Sequence, residues 1–276
     1  ERKNYFGGTF DGNGKTISGL HFSNLSPEHG FNFNSRFDRP GASNPNVGRY
    51  AFGFFGGIVG GIVKNLNISI DANIKTVCPI AYNENGSPSQ QTFFGAVAGY
   101  AHSSETSKFE IDNVTVSGTI NTIARVGGVV GALSDGIIKN TTNRANINVT
   151  FVEGQSVFSY GEAGGIVCWA RTYTPVDDRV PFASGRVFVA ELKNCTNEGN
   201  IHTANGSAVG IVAATSVNAN MKLKYVDCKN TGTLSSSSPN PQEGTGTLLG
   251  PRYSSVPSYI PHIDFGGLTN ETTRNG

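Results

Sequence analysis

The sequence is poor in charge and has none of the long apolar runs of membrane helices. Charged residues make up 15% of its 276 residues, against roughly 25% in an average globular protein. The formal net charge of +1 gives no electrostatic reason for binding nucleic acid or an anionic membrane surface. We therefore expect no nucleic-acid partner. No run of about 18 apolar residues occurs, so we also expect no transmembrane segment.

The sequence also lacks the residue spacings of common catalytic and metal sites. Its histidines form neither an HExxH motif nor a His–Cys metal spacing, and no GxSxG motif marks a hydrolase nucleophile. The stretch DGNG at 11–14 resembles the start of a calcium loop, but Lys15 would place a cation at the fifth ligand position. We therefore expect a tight turn there, and we expect no catalytic residues, no metal and no cofactor.

Glycine is abundant, at 36 residues, and much of it lies in a recurring phrase. The phrase reads GGIVGG at 56–61, GAVAGY at 95–100, GGVVGA at 127–132, GGIVCW at 164–169, VGIVAA at 209–214 and GTLLGP at 246–251. A second phrase built around Asn follows the first five: KNLNISI at 64–70, DNVTVSGTI at 112–120, KNTTNRANI at 139–147, KNCTNEGNI at 193–201 and VDCKNTGTL at 226–234. Repetition at intervals of roughly 20–50 residues indicates a solenoid, a propeller or an array.

Aligning the Asn phrases produces columns of apolar residues. The first column holds Ile17, Val63, Ile111, Ile138, Leu192 and Tyr225; the second holds Leu20, Leu66, Val114, Thr141, Cys195 and Cys228; the third holds Ile120, Ile147, Ile201 and Leu234. The alternation within 66–70 is the period-two pattern of a strand with one buried face. No stretch keeps a helical apolar spacing, and strands this short must stack to form a core.

The fold that we predict is all-β, a right-handed parallel β-helix (a solenoid) with loop insertions. No linker divides the repeats, so residues 1–276 are predicted to form a single β-helix domain. The chain begins ERKNY without Met, and we expect it to be a fragment of a longer surface protein.

One Asn column leaves two interpretations open. Asn143, Asn197 and Asn230 each precede by two residues a small residue at a predicted bend, in a bend column that holds Gly118, Ala145, Gly199 and Gly232. The three amides could form a ladder of hydrogen bonds along the stack. Asn could instead be present only because it tolerates turn conformations.

The cysteines raise the question of a disulfide. Cys195 and Cys228 share a column in adjacent repeats, at a Cα separation of about 4.8 Å that a disulfide permits. In-register parallel neighbours, however, keep their Cβ atoms near the strand spacing, above the ~3.8 Å that a disulfide prefers. We predict buried, unbonded thiols.

Insertions between the repeats are the predicted carriers of specificity, because loops on a rigid scaffold vary freely. They span 26–50, 75–92, 151–162 and 171–190. The last follows the only tryptophan and contains an acidic pair, and the candidate ligand-binding residues are Trp169, Tyr173, Asp177, Asp178 and Arg179. A solvated turn at the acidic pair, and an aromatic that covers an open coil edge, are the alternatives.

Three stretches resemble a known family: YFGGTFDGNGKTISGL at 5–20, GFFGGIVGGIVKNLNIS at 53–69 and VGGVVGALSDGIIKNTTNRANI at 126–147. They are similar to the GLUG-type repeats of surface proteins from Bacteroides-like bacteria, over residues 5–25 and, with interruptions, 51–250. The resemblance implies a β-helix at the bacterial cell surface or secreted, described as an adhesin and without catalytic residues. Cys168 and Ala213 depart from the family pattern, because glycine is expected there.

Two functions therefore remain in view. The first is a cell-surface adhesion or binding module without catalytic activity, whose loops contact a glycan or protein of a host or neighbouring cell. The alternative is a polysaccharide-active β-helix enzyme, a lyase or hydrolase, with a site near 171–190. Such enzymes gather carboxylates and cations on one face, whereas the repeat columns here hold Asn, Thr, Ser and Gly. This composition favours the binding module.

Overall fold

The computed structural model describes residues 5–33, 49–77, 91–150, 161–171, 186–239, 244–254 and 256–266. This part of the chain is mostly β, which confirms the prediction of an all-β fold. Its helical segments are short: one α-helix, Pro251–Ser254, and two 3-10 turns, Pro27–His29 and Ile260–His262.

The strands form three sheets, which we number in the order in which each repeated segment after residue 48 passes through them. Sheet 1 contains Phe31–Asn32, Arg49–Phe52, Gln91–Gly95, Arg125–Gly127, Ala163–Gly164, Ala208–Val209 and Thr245–Gly246. Sheet 2 contains Phe55–Val59, Ala98–His102, Val130–Leu133, Val167–Arg171 and Val212–Ser216. Sheet 3 contains Thr9–Asn24, Ile62–Thr76, Glu110–Thr122, Gly136–Lys139, Thr142–Asn143, Asn146–Val149, Phe188–Lys193, Thr196–Asn197, Ile201–Thr203, Met221–Val226, Lys229–Asn230, Leu234–Ser236 and Ile263–Asp264.

The chain passes through sheets 1, 2 and 3 in the same order in five successive segments: 49–76, 91–122, 125–149, 163–203 and 208–236. Within each sheet, strands of successive segments pair in parallel. Among the described strands, the exception is Phe31–Asn32, which pairs antiparallel with Arg49–Phe52. Parallel sheets, as predicted, therefore organise the chain.

Most of the predicted apolar columns are confirmed by the register of sheet 3. Val63 pairs with Ile111, which pairs with Ile138, and the column continues through Leu192 to Tyr225. The paired strands also bring Ile120, Ile147, Ile201 and Leu234 side by side. Nearly all of these side chains are buried. Each fully buried aliphatic side chain contributes roughly 1.5–3 kcal/mol, so the columns are the main source of the stability of the fold.

The alignment of the first repeat was wrong in two places. Phe10, and not Ile17, pairs with Val63, whereas Ile17 pairs with Ile68. The cause is that the strand Thr9–Asn24 contains extra residues at two register shifts relative to its partner. Likewise Leu20 pairs with Ile70 and not with Leu66. In sheet 2, Gly57 pairs with Tyr100, so the phrases GGIVGG at 56–61 and GAVAGY at 95–100 are not in register with each other.

The internal Asn column forms the amide ladder. Asn143 Nδ2 donates to Asn197 Oδ1 at 2.7 Å, and Asn197 Nδ2 donates to Asn230 Oδ1 at 2.6 Å. The same Nδ2 groups also donate to the carbonyl two residues later, at Ala145, Gly199 and Gly232. Asn143 and Asn197 are fully buried. The ladder interpretation is thus confirmed. Tolerance of a turn conformation is not what selects Asn here, because Asn143, Asn197 and Asn230 lie in strands and none is among the described residues with a positive φ.

The glycine phrase packs directly against this ladder. A Cβ on Gly128 would lie 2.7 Å from Asn143 Cγ, and one on Gly165 would lie 2.5 Å from Asn197 Cγ. A Cβ on Gly210 would lie 2.5 Å from Asn230 Cβ. Side-chain carbons do not approach other heavy atoms so closely. A Cβ on Gly128 or Gly165 would also lie 2.2 Å from a backbone carbonyl oxygen, Gly165 O or Gly210 O. In these repeats the neighbouring backbone and the Asn side chain together exclude a side chain at the glycine.

A second, exposed series of residues adopts the left-handed conformation on sheet 3. Its members have φ between 50° and 53°: Asn13, Asn65, Asn113, Asn140, Asn194 and Asp227. Asn and Asp tolerate this region better than other residues with a side chain. Asn113 Nδ2 donates to Asn65 Oδ1 at 2.9 Å, and Asn194 Nδ2 donates to Asn140 Oδ1 at 2.8 Å. This conformation accounts for the Asn or Asp at the start of each Asn phrase.

The cysteine prediction is confirmed for the described cysteines. Cys195 and Cys228 are buried and unbonded, and they lie beside each other because the next residues, Thr196 and Lys229, pair. Cys195 Sγ donates to Ile138 O at 3.3 Å, and Cys228 Sγ donates to Leu192 O at 3.2 Å. Burial raises the pKa of the Cys195 thiol well above its usual range. Both residues act as small core side chains.

We predict that Gly165→Ala lowers the free energy of unfolding by about 2–4 kcal/mol, because the new methyl group would lie 2.2 Å from Gly210 O and 2.5 Å from the Asn197 amide and would push both away. Urea denaturation measures the change. Gly8→Ala is the control, because its Cβ would have only the Phe6 ring nearby, at 3.5 Å, and it should change stability by less than about 0.5 kcal/mol. Equal effects of the two substitutions would contradict the packing described.

Candidate functional site

Trp169 is the one predicted site residue within the described part of the chain, and it lies in a buried cluster. It is 7% exposed, in the sheet 2 strand Val167–Arg171. The Arg125 guanidinium lies 4.5 Å from its ring centroid, and the Phe93 ring lies 5.9 Å away. Its ring is therefore occupied by protein neighbours. Tyr173, Asp177, Asp178 and Arg179 lie outside the described residues.

The cluster around Trp169 lies on the outer face of sheets 1 and 2. Phe93 belongs to it, whereas Phe94 packs in the main core, as the alternation of side chains along a strand requires. Phe33 stacks on Tyr100 at 4.5 Å and covers this face. Residues 26–33 are the described start of the insertion 26–50. They contribute to packing, because Phe31 and Phe33 are buried.

A buried ion pair lies in the same cluster. Arg125 Nε is 3.2 Å from Glu162 Oε2, and both side chains are less than a tenth exposed. The Tyr253 hydroxyl donates to Glu162 Oε1 at 2.7 Å. Each charge therefore has a partner, as buried charges require. Because cation, carboxylate and aromatic rings are packed against one another, we interpret the group as structural.

A second buried polar group surrounds His102. This residue is fully buried at the end of a sheet 2 strand. Arg186 Nη2 donates to Asp135 Oδ2 at 2.6 Å, and the backbone N–H of Val189 donates to Asp135 Oδ1 at 2.7 Å. Burial lowers the pKa of His102 to about 4, against an opposing contribution from the Asp135 carboxylate. His102 is therefore neutral at pH 7 and helps to fix the chain where it enters sheet 3 at Phe188.

An open groove of about 520 Å³ lies on the outer face of sheet 3. Its lining comes from four successive repeats: Thr119 and Asn121, Asn146 to Asn148, Asn200 to His202, and Thr233 and Ser235. The register places these residues in two parallel columns on either side of the buried Ile120, Ile147 and Ile201. The described residues of this lining include no lysine, arginine, aspartate or glutamate.

Hydrogen bonds within the groove hold its amides in place. The backbone N–H of Asn200 donates to Asn146 Oδ1 at 3.1 Å, and that of Thr233 donates to Asn200 Oδ1 at 3.0 Å. His202 Nδ1 is 2.9 Å from Ser235 Oγ. The Nδ2 groups of Asn146 and Asn200 make no hydrogen bond within the described residues, and both side chains are exposed. The groove therefore presents ordered donors to solvent.

The groove was not predicted from the sequence, because the alignment of repeats was used to find apolar columns and the polar residues between them were not compared. A signal was present in the triplets TIN at 119–121, NIN at 146–148, NIH at 200–202 and TLS at 233–235. Each triplet has one apolar residue, buried in the first three triplets and half-buried at Leu234, between two polar ones. Stacking the triplets predicts a continuous polar strip.

The described residues contain no group of three or more His, Cys, Asp or Glu placed to hold a metal ion. Within the same described ranges, no helix is long and apolar enough to cross a membrane. Comparison of the chain with protein-family models, with curated proteins and with solved structures finds no match. The likeness to GLUG-type repeats therefore stays a prediction carried by the motifs at 5–20, 53–69 and 126–147.

We predict that acidification destabilises the protein through His102. Unfolded histidine binds a proton near pH 6.5, whereas folded His102 binds one only near pH 4. The unfolded state therefore binds more protons between these values, and stability present above pH 6.5 is lost as the pH falls towards 4. The loss should be about 3 kcal/mol by pH 4, since 2.5 pKa units at 1.36 kcal/mol each set a limit of about 3.4 kcal/mol.

Denaturant unfolding of wild type and His102→Gln across this pH range measures the effect. The His102→Gln protein should lose less stability on acidification, whatever its stability at pH 7. The control is His29→Gln, because the His29 side chain is 77% exposed; it should retain the full pH dependence of wild type. Identical pH profiles for wild type and His102→Gln would contradict the prediction.

Proposed function

We propose that the chain is a right-handed parallel β-helix that acts as a non-catalytic binding module, secreted or displayed at the surface of a bacterial cell. Five successive passes through the same three sheets, with parallel in-register pairing, are what one coil per repeat would produce. The right hand follows from the strong preference of parallel crossover connections for that sense.

The observation that carries the binding function is the open groove on sheet 3. Its polar side chains occupy equivalent positions in four repeats, on strands held rigidly by their neighbours. Sites built on strands position their groups better than sites on loops. The lining has no pair of carboxylates, which glycoside hydrolysis requires, and no cation to assist a lyase. Binding without turnover is the function that this chemistry suits.

The partner that we propose is a glycan or protein of a host or neighbouring cell, in line with the likeness to GLUG-type adhesins. The insertion 171–190, with Tyr173, Asp177, Asp178 and Arg179, is proposed as a second contact region. Trp169 would support the start of this insertion from within the buried cluster, because its ring is packed against Arg125 and Phe93.

We expect the purified protein to bind at least one ligand in a screen of a glycan array and host surface proteins, and to release no product from any polysaccharide. Release is measured as new reducing ends or unsaturated sugars. Product formation that Asp177→Asn or Asp178→Asn abolishes would favour the polysaccharide-active enzyme. Failure to bind any member of either panel would contradict the proposed function.

A further inference from the structure

We infer that the groove on sheet 3 binds an extended, uncharged polysaccharide whose chain crosses the strands, along the direction in which the repeats stack. This inference rests on the proposed function of a binding module and names its ligand class and its site. The site is formed by Asn121, Asn146, Asn148, Asn200, His202 and Ser235.

The geometry of the groove suits a linear polymer. Paired strands bring Asn121 beside Asn148, and Asn148 beside His202, one strand spacing apart. Strands in a sheet lie about 4.8 Å apart, so four repeats offer about 14 Å of regularly spaced polar groups. A chain of sugar rings presents hydroxyl groups at regular intervals, and each repeat of the groove could engage the next part of the ligand in the same way.

The chemistry of the lining favours hydroxyl groups over a peptide. Amides and hydroxyls both donate and accept hydrogen bonds, as sugar hydroxyls do. In the three inner strands of the groove the backbone groups pair with neighbouring strands of sheet 3 on both sides, and only Leu234–Ser236 is an edge strand. A peptide that lies across the inner strands could therefore not pair with them, because strand addition needs an exposed sheet edge. The lining also offers no aromatic or arginine anchor of the kind that dominates protein interfaces.

The absence of charge from the lining favours a neutral ligand. Carboxylate and sulfate groups are recognised by Arg or Lys, and the lining contains neither. The cation nearest along the chain to Asn146 is Arg144, whose Nε already donates to Glu198 Oε2 at 2.8 Å. An anionic polysaccharide would therefore bury charge against amides without a counter-charge.

The amides are arranged before any ligand arrives. Asn146 and Asn200 each accept a backbone N–H through Oδ1, which orders the side chain and leaves Nδ2 as a donor. Asn148 Nδ2 lies 3.4 Å from Asn121 Oδ1, so these two amides also constrain each other. Because ordered groups lose little conformational entropy on binding, a series of weak contacts can still give measurable affinity.

The test measures the affinity of the whole chain, by calorimetry, for soluble neutral polysaccharides and for polygalacturonate. Asn200→Asp keeps the acceptor for Thr233 N–H but removes the Nδ2 donor and adds a charge. We expect this substitution, alone or with Asn146→Asp, to weaken binding of a neutral polysaccharide at least about tenfold. The control is Asn220→Asp, which makes the same change at an exposed residue outside the groove and should not alter affinity.

Oligosaccharides of increasing length provide a second readout. Affinity should rise with length until the ligand covers about 14 Å, the extent of four strands, and then level off. A circular dichroism spectrum and the Tm establish that each variant is folded. These measurements separate failure of the inference from failure of the proposed function.

Tenfold weaker binding by Asn200→Asp, together with the length dependence, would support the inference. Unchanged glycan affinity in Asn200→Asp and in the double variant would overturn the site while leaving the binding function intact. Preference for polygalacturonate, or binding of a protein alone, would overturn the ligand class. Absence of any binding by wild type would overturn the inference and the proposed function together.

Discussion

The geometry of the last three repeats depends on the contact between the internal Asn ladder and the glycine that faces each Asn. A buried amide is costly unless its donors and acceptor are bonded, and the ladder satisfies Asn143, Asn197 and Asn230 through one another and through the carbonyls at the bend. Gly165 and Gly210 face these side chains and have no room for a Cβ, which would lie at most 2.5 Å from the facing Asn and from a backbone carbonyl oxygen. The ladder therefore sets the position of the bend. Together with the neighbouring backbone, it also restricts the facing residue to glycine.

The bend also determines what the outside of sheet 3 presents. Thr119, Asn146, Asn200 and Thr233 each follow a bend residue directly, so the bend column sets the line along which the polar groove begins. The earlier repeats have Ile68 and Val116 in place of the internal Asn. In those repeats apolar packing replaces the ladder, and the groove lining begins only at Thr119. Internal and external polar columns thus occupy largely the same repeats.

Much of the fold could be predicted from the sequence, because residues at equivalent positions of successive repeats lie side by side in paired strands. Val63, Ile111 and Leu192 were placed correctly by alignment alone. Ile17 was not, since the register shifts in Thr9–Asn24 insert residues that an alignment by spacing cannot locate. The burial of Trp169 was equally hidden, because it depends on Arg125 and Phe93 from other repeats. The groove could have been found, but its residues resemble those of any solvated strand face until the repeats are stacked.

Distances between spin labels along one exposed column test the stacking of repeats most directly. Asp71, Thr119, Asn146, Asn200 and Thr233 are linked by successive strand pairs of sheet 3, the last through the register of Ile201 and Leu234. With one label at Asp71 and the second at Asn200 or Thr233, dipolar broadening in continuous-wave electron paramagnetic resonance of the frozen protein should give mean separations of ~14 Å and ~19 Å, increasing by about 4.8 Å per repeat. Equal separations for the two pairs, or a shorter distance to Thr233, would contradict the stacked arrangement on which the groove depends.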